Sequence, residues 1–251
     1  MEFIKTNLES SKGMFDKYYN DLNGGFDDFF EEIIIKGFQY KIKHHEEIIG
    51  VFAISADNKL ICIHLENKYI NLYELIFNNI VKFNEVQGIV SITNDTKMLN
   101  EIIKRNYRII KQAYNFIYTD GIQKTDLEYK KATLADISTM KNLFKDFFND
   151  YEERVKTDSL YLGIKNNKIV SLGHIKHHEF NADIVSIGMI VTEDERKNGY
   201  GCDTIKAMIN EGIKRDATIQ AGCWFYNHAS KKTLEKAGLN VSNIIIRVDE
   251  F

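Results

Sequence analysis

The 251-residue chain contains no proline, so no slow X-Pro isomerisation enters its folding. Cysteine is scarce too: Cys62, Cys202 and Cys223 are an odd number at unrelated spacings, and no Cys-x-x-Cys occurs. That excludes a disulfide framework or a cysteine-ligated zinc site as the organising feature. A basic excess is also missing. The 33 lysines and arginines stand against 36 aspartates and glutamates, a formal net charge of −3, and the pI is near 6.2. Nucleic acid and anionic membranes are therefore not expected as partners. No apolar run approaches the length of a membrane span, and the opening MEFIKTNLESSKG carries an acid early and lacks a signal-peptide core. A cytoplasmic monomer or homodimer is the expectation.

With 44% hydrophobic and 27% charged residues, the composition is that of a soluble globular protein, long enough for one large domain or two of about 125 residues. The informative stretch is IGMIVTEDERKNGYG, Ile187 to Gly201. Ile187 to Val191 is an apolar run of buried-strand length. A polar turn follows, then Arg196-Lys197-Asn198-Gly199-Tyr200-Gly201, and after it Ile205, Met208, Ile209 and Ile213 fall at helical spacing. The unit reads as strand, glycine-rich loop, helix. Such a loop gathers free backbone N–H groups and the positive end of a helix dipole around one point, which suits a phosphate. Gly199 and Gly201 permit close backbone approach, and Arg196 adds charge at the rim. The loop is not a Rossmann fingerprint, because Cys202, Asp203 and Thr204 follow Gly201, and no Gly-Lys-Ser/Thr ends it as a Walker loop requires. On the loop alone, an ordinary strand-to-helix turn fits equally well. Cys202 lies at the helix start, where a thiol pKa can drop, but a small-residue role is the simpler reading.

The two halves follow one pattern. Residues 1–36 read as helical: Leu8, Met14 or Phe15, Tyr18, Tyr19 and Leu22 share one face, Asn23-Gly24-Gly25 turns, and Phe26, Phe29, Phe30, Ile33 and Ile34 form a second amphipathic helix. Strands are expected at 38–42, 48–54 and 60–65, with His44 and His45 as solvated residues at a hairpin tip. A helix over 72–83, a strand over 88–92, a helix from Asn94 and a strand over 108–118 complete the half. In the second half Thr133 caps a helix with Asp136 three residues on, and Ile137, Met140, Phe144, Phe147 and Phe148 form its buried stripe. Asp146, Asp150, Glu152 and Glu153 read as a solvated acidic face. A hairpin spans 160–175. On a strand, His174 and His178 share a face while His177 points away, an arrangement of ordinary polar residues more than of metal ligands. His174 keeps interest as a proton acceptor. A strand over 218–226, a helix over 227–236 and a closing Gly238 follow.

Repetition is visible in the letters: YKIKHHEEIIGVF from Tyr40 lines up with YLGIKNNKIVSLGH from Tyr161, and NDTKMLNEIIKRNY from Asn94 with NHASKKTLEKAGL from Asn227. Where the second copy has Arg-x-x-Gly-x-Gly, the first has Leu65-Glu-Asn-Lys-Tyr-Ile-Asn71, with no glycine and with Glu66 nearby. The polar stretch 124–127 reads as the junction.

Val191 to Gly201 resembles the pyrophosphate loop of the GNAT superfamily of N-acetyltransferases, V-x-x-x-x-R/Q-x-x-G-x-G/A. Tyr129 to Asp136 resembles the opening of that domain, and Asn227 to Leu239 its second motif, N-x-x-A/S-x-x-x-Y-x-x-x-G-F. The resemblance covers 128–247 well and 1–120 weakly. It implies an α/β fold with a mixed sheet in two tandem GNAT-like domains: 1–124, degenerate and without a cofactor loop, and 125–251, the N-acetyltransferase. It implies a splay between the parallel strands 187–191 and 218–226. It also implies acetyl-CoA as cosubstrate, without a metal, held by Met189, Ile190, Val191, Arg196, Lys197, Asn198, Gly199, Tyr200, Gly201, Asn227 and Ser230. The activity implied is acetyl transfer to a primary amine of a small-molecule or peptide acceptor, by direct attack in a ternary complex. His174 and Glu193 are the candidate bases, and the acidic stretch 146–153 borders the acceptor site. Leu234 stands where many members carry a tyrosine that protonates the leaving thiolate, so Tyr226, Ser230 or water must serve. Alternatively, the protein is an inactive acyl-CoA-binding module.

Overall fold

The computed structural model describes residues 1–251 apart from the side chain of Asp146, so that member of the acidic stretch lies outside the described residues. The first half runs β1 (Glu2–Thr6), α1 (Leu8–Asp21), α2 (Asp28–Lys36), β2 (Phe38–His44), β3 (Glu47–Ile54), β4 (Lys59–Leu65), α3 (Tyr73–Ile80), β5 (Gly88–Ile92), α4 (Thr96–Lys104) and β6 (Ile110–Tyr118). The second runs β7 (Glu128–Lys131), α5 (Ile137–Phe144), α6 (Tyr151–Lys156), β8 (Leu160–Lys165), β9 (Lys168–His177), β10 (Ile184–Val191), α7 (Tyr200–Lys214), β11 (Thr218–Trp224), α8 (His228–Lys236) and β12 (Asn240–Val248). The two orders are the same, so the repeat in the letters is a repeat in the fold. The opening residues depart from the helical reading. Glu2–Thr6 pairs antiparallel with β2, and Phe3 meets Phe52 edge-on at 5.0 Å. The helix waits for Asn7, whose side chain accepts from Ser10 N at 2.9 Å.

All twelve strands form one sheet, in the order β1-β2-β3-β4-β5-β12-β6-β11-β10-β9-β8-β7. The expected boundary at 124 falls in the β6–β7 connection, yet the sheet runs across it. β6 of the first half pairs with β11, Ile219 opposite Tyr118 through Trp224 opposite Ala113. β12 of the second half pairs with β5, Ile245 opposite Ile92 through Val248 opposite Ile89. Each half thus gives its last strand to the other, and β6 and β12 lie side by side at the centre.

The helices complete the layers. One buried cluster joins Phe15, Tyr18, Tyr19, Phe26 and Phe30 of the α1–α2 region to Ile61, Val90, Ala113 and Ile245 of the sheet, and to Phe180 of the second half. The α1–α2 region therefore packs across the seam between the halves. Polar contacts tie the same region down: Tyr19 Oη to His178 Nδ1 at 3.1 Å, and His178 Nε2 to Ser186 Oγ at 2.8 Å. Asp28 N donates to Ser186 Oγ at 3.0 Å, and Gln220 Nε2 donates to Gly24 O. Burial lowers the His178 pKa to about 4, so near pH 7 this buried network holds a neutral imidazole. No described helix is long and apolar enough to cross a membrane.

Candidate active site

β10 and β11 are parallel, but they pair only at Ile184–Thr218, Val185–Ile219 and Ser186–Gln220. Past Ser186 they part, as the resemblance implies. β10 stays paired with β9 through Val191, so its other edge opens toward the gap, where residues 188–191 are half-buried. Backbone N–H and C=O groups on such an edge can pair with an extended ligand.

The loop beyond β10 has the shape expected of an anion cradle. Lys197 and Gly199 both have positive φ, 68° and 88°, and successive turns of this kind point neighbouring N–H groups to one side. Gly199 is the N-cap of α7, and no side chain caps that helix. Asn7, Asp27, Asp95 and Asn227 do cap α1, α2, α4 and α8. The first amides of this 15-residue helix, like those of α3, α5 and α6, have no side-chain cap among the described residues, and such amides can receive an anion. At Gly201 a Cβ would stand 3.1 Å from Met189 Cε, which accounts for the second glycine.

A cavity of about 630 Å³ lies over this loop. Nine of the eleven expected cofactor residues line it: Met189, Ile190, Val191, Arg196, Lys197, Gly199, Gly201, Asn227 and Ser230. Asn198 and Tyr200 do not; Asn198 Nδ2 turns to Glu195 Oε2 at 3.3 Å. Phe147, Glu195, Cys202, Ala229, Thr233 and Lys236 join the lining unforeseen. Burial raises the Cys202 thiol pKa, so the helix start does not activate it. Asn227 caps α8, its Oδ1 accepting from Ser230 N at 3.1 Å, and still faces the cavity.

A second cavity, of about 320 Å³, shares Phe147, Met189, Asn227 and Ser230 with the first and lies toward α2. His174 is in its wall, with Asp27, Asp28, Phe29, Gly188, Gly222 and Trp224. The two glycines follow Ser186 and Gln220, the last paired residues, by two positions each, so they face the same side of the sheet. A Cβ on Gly188 would stand 2.6 Å from His174 Nε2, and one on Gly222 would overlap Asp27 Oδ2. An imidazole and a carboxyl thus flank the gap on one face. His174 Nδ1 is buried without a partner among the described residues, and burial lowers its pKa, which keeps the ring neutral near pH 7.

Of the other residues proposed for chemistry, Glu193 is exposed beyond the end of β10 and 3.8 Å from Lys145 Nζ, and Tyr226 is 71% exposed. Neither lines the two cavities. Leu234 is buried in the core under α7. Asp150 pairs with Arg154 at 2.7 Å, and with Glu153 it borders a different hollow, near Arg215. His44 and His45 lie at the β2–β3 tip with their rings tilted against each other, 4.2 Å between centroids.

The equivalent gap in the first half is filled. β4 and β5 also diverge after two pairs, Lys59–Gly88 and Leu60–Ile89. Here a tight 3-10 turn, Asn67–Leu72, stands in place of the glycine loop. Tyr18 reaches in from α1, its Oη donating to Asp95 Oδ2 at 2.9 Å, against the buried Cys62 and Ile92.

Residues 7–119 match the family described as "Acetyltransferase (GNAT) domain". The matched segment is the half without the glycine loop, so the likeness carried by motifs at 128–247 extends to the first half. Among solved structures, a GNAT-family acetyltransferase from Colwellia psychrerythraea aligns over 100% of both chains at TM-score 0.90 and 11% identity. A tandem GNAT protein from the clavulanic acid biosynthesis pathway aligns over 98% of this chain and 97% of its own, at TM-score 0.63 and 7% identity. A GCN5-related N-acetyltransferase from Sphaerobacter thermophilus covers 80% and 81%, at TM-score 0.54 and 11% identity. A search of curated protein sequences returns no match. Residues 7–119 thus match a GNAT domain model, and the chain as a whole has the fold of GNAT acetyltransferases, a tandem member included.

Proposed function

We propose that the protein transfers an acetyl group from acetyl-CoA to a primary amine, directly, in a ternary complex held in the second half. The carrying observation is the divergence of β10 and β11 after Ser186 and Gln220, which joins the loop cavity to the second cavity through shared residues. The loop suits a diphosphate on this chain's own features: an uncapped helix start, positive φ at Lys197 and Gly199, and Arg196, Lys197 and Lys236 in the lining. Glu195, the one carboxylate there among the described residues, is paired with Lys168 at 2.7 Å. When bound, acetyl-CoA supplies the activated acyl group. The Met189–Val191 backbone would orient it and supply donors to developing negative charge. Ser230, whose hydroxyl belongs to the lining of both cavities, would hand a proton to the leaving thiolate.

One observation favours the inactive acyl-CoA-binding module: Leu234 is packed in the core and offers no acid. The test is calorimetric titration and thermal unfolding with acetyl-CoA, wild type beside Arg196→Ala/Gly199→Ala, followed by CoA release with amines. Ligand at about a hundredfold Kd should add about 2.7 kcal/mol to native stability in the wild type alone. No stabilisation of either protein would end both readings. Binding without turnover of any amine would leave the module.

A further inference from the structure

We infer that the first half completes the acceptor site, with Asp27 as the group that binds and deprotonates the acceptor, and that the acceptor is a cationic amine on an apolar or aromatic body, without a carboxylate beside the nitrogen. This rests on the acetyl-CoA reading of the loop.

Charge and burial carry it. The two adjoining cavities are of opposite sign. Among the described residues the loop cavity has three cationic side chains, whereas the second has the carboxyls of Asp27 and Asp28 and no lysine or arginine. Asp27 is 3% exposed. Its Oδ1 accepts from Phe30 N at 3.1 Å, while Oδ2 lies over Gly222, at the gap. Among the described residues Oδ2 meets no cation and no side-chain donor. A buried carboxylate is ordinarily paired; here the missing partner is a cation from outside. Phe29 and Trp224, 5.7 Å apart and edge-on, are both partly exposed at this cavity. Aromatic faces suit an ammonium and its hydrocarbon body, and two carboxyls repel an α-amino acid.

Proton flow is balanced. Asp27 Oδ2 takes one proton from the ammonium, freeing the nitrogen lone pair for the acyl carbon. The N–C bond forms as the C–S bond breaks, the second nitrogen proton ends on the thiol, and Asp27 releases its proton to water. The facing groups are Asp28 and Glu31 on α2, Tyr19 on α1, His174 on β9 and Cys223 on β11. Burial pushes the Asp27 carboxyl up to about 7, with Asp28 adding to the rise, whereas it raises Cys223 to about 11 and lowers His174. Asp27 therefore titrates where a general base is most effective.

Phenethylamine, 2-phenylethanol and phenylalanine are titrated into CoA-saturated protein, and CoA release from acetyl-CoA with phenethylamine is followed against pH. The alcohol and the amino acid should bind at least about tenfold more weakly than the amine. Asp27→Asn keeps the helix cap and should bind acetyl-CoA as the wild type does. It should lose about 100-fold or more in kcat/KM, together with the ascending limb near pH 7. Gly222→Ala, which pushes Oδ2 aside, should show the same split, and Asp27→Glu should recover part of the loss. Asp27→Asn with wild-type kcat/KM, alcohol binding equal to amine binding, or no amine binding at all would overturn the inference while acetyl-CoA binding survives. Failure of the wild type to bind acetyl-CoA would remove the functional reading and this one together.

Discussion

Asp27 holds the start of α2 with one carboxylate oxygen and leaves the other over Gly222, and that arrangement has a cost in stability. Its pKa stands near 7 in the folded chain against 3.8 for the free group. The native state therefore binds more protons than the unfolded state between about pH 4 and pH 7, and stability falls as pH rises through that window. Above pH 7 the penalty is complete, on the order of a few kcal/mol. Asp27→Asn should flatten this dependence and raise the denaturation midpoint at pH 8 while it suppresses turnover. A midpoint at pH 8 equal to or below that of the wild type would show that the carboxyl is not strained by burial. The sequence hid this residue. An aspartate two residues after Gly-Gly and ahead of an apolar helix reads as a cap, which it is; its second role depends on a glycine almost two hundred positions away. His174 was legible because an imidazole on a strand stands out by chemistry alone, whereas Glu193 and Tyr226 sit close to the motifs in sequence but outside both cavities.

At the scale of elements, β10, the loop and α7 could be read from residues 187–213 because period and glycine placement are local properties. The same holds for the Thr133 and Asp136 cap, whose side chains and backbones bond reciprocally, and for the Asn166-Asn167 turn between β8 and β9, where both residues have positive φ. β1 was misread because five residues are too few for periodicity to separate strand from helix. The seating of α7 rests on Gly212, where a Cβ would come within 2.6 Å of Ile219 Cγ1, a side chain only 2% exposed. Gly212→Ala should lower unfolding free energy by about 1–3 kcal/mol through overpacking despite the better helix propensity of alanine. A denaturant midpoint at or above wild type would show that the interface yields without strain.

Across the whole molecule, the exchange of last strands is what no pattern in the letters discloses. Residues 108–118 read as a strand, and Ile110–Tyr118 form one, but alternation says nothing about which edge a strand will join. A chain ending at 124 would keep β1–β5 while leaving β6 without β11 and β12, its two neighbours. The edge of β5 that β12 covers would also be exposed. We expect that fragment to aggregate or remain unfolded, judged by circular dichroism and light scattering. A soluble, cooperatively unfolding 1–124 would refute the interdependence of the halves.

The connection between β6 and β7 then has an unexpected standing. It is an exposed stretch, with Ile122 79% accessible, and two reciprocally donated strands already join what it joins. Cutting it would convert one polypeptide into a heterodimer with the same sheet. The two pieces, synthesised apart and mixed, should find each other by fragment complementation and regain the cavities beside β10. In that sense the molecule is an obligate pair of subunits written as a single gene product.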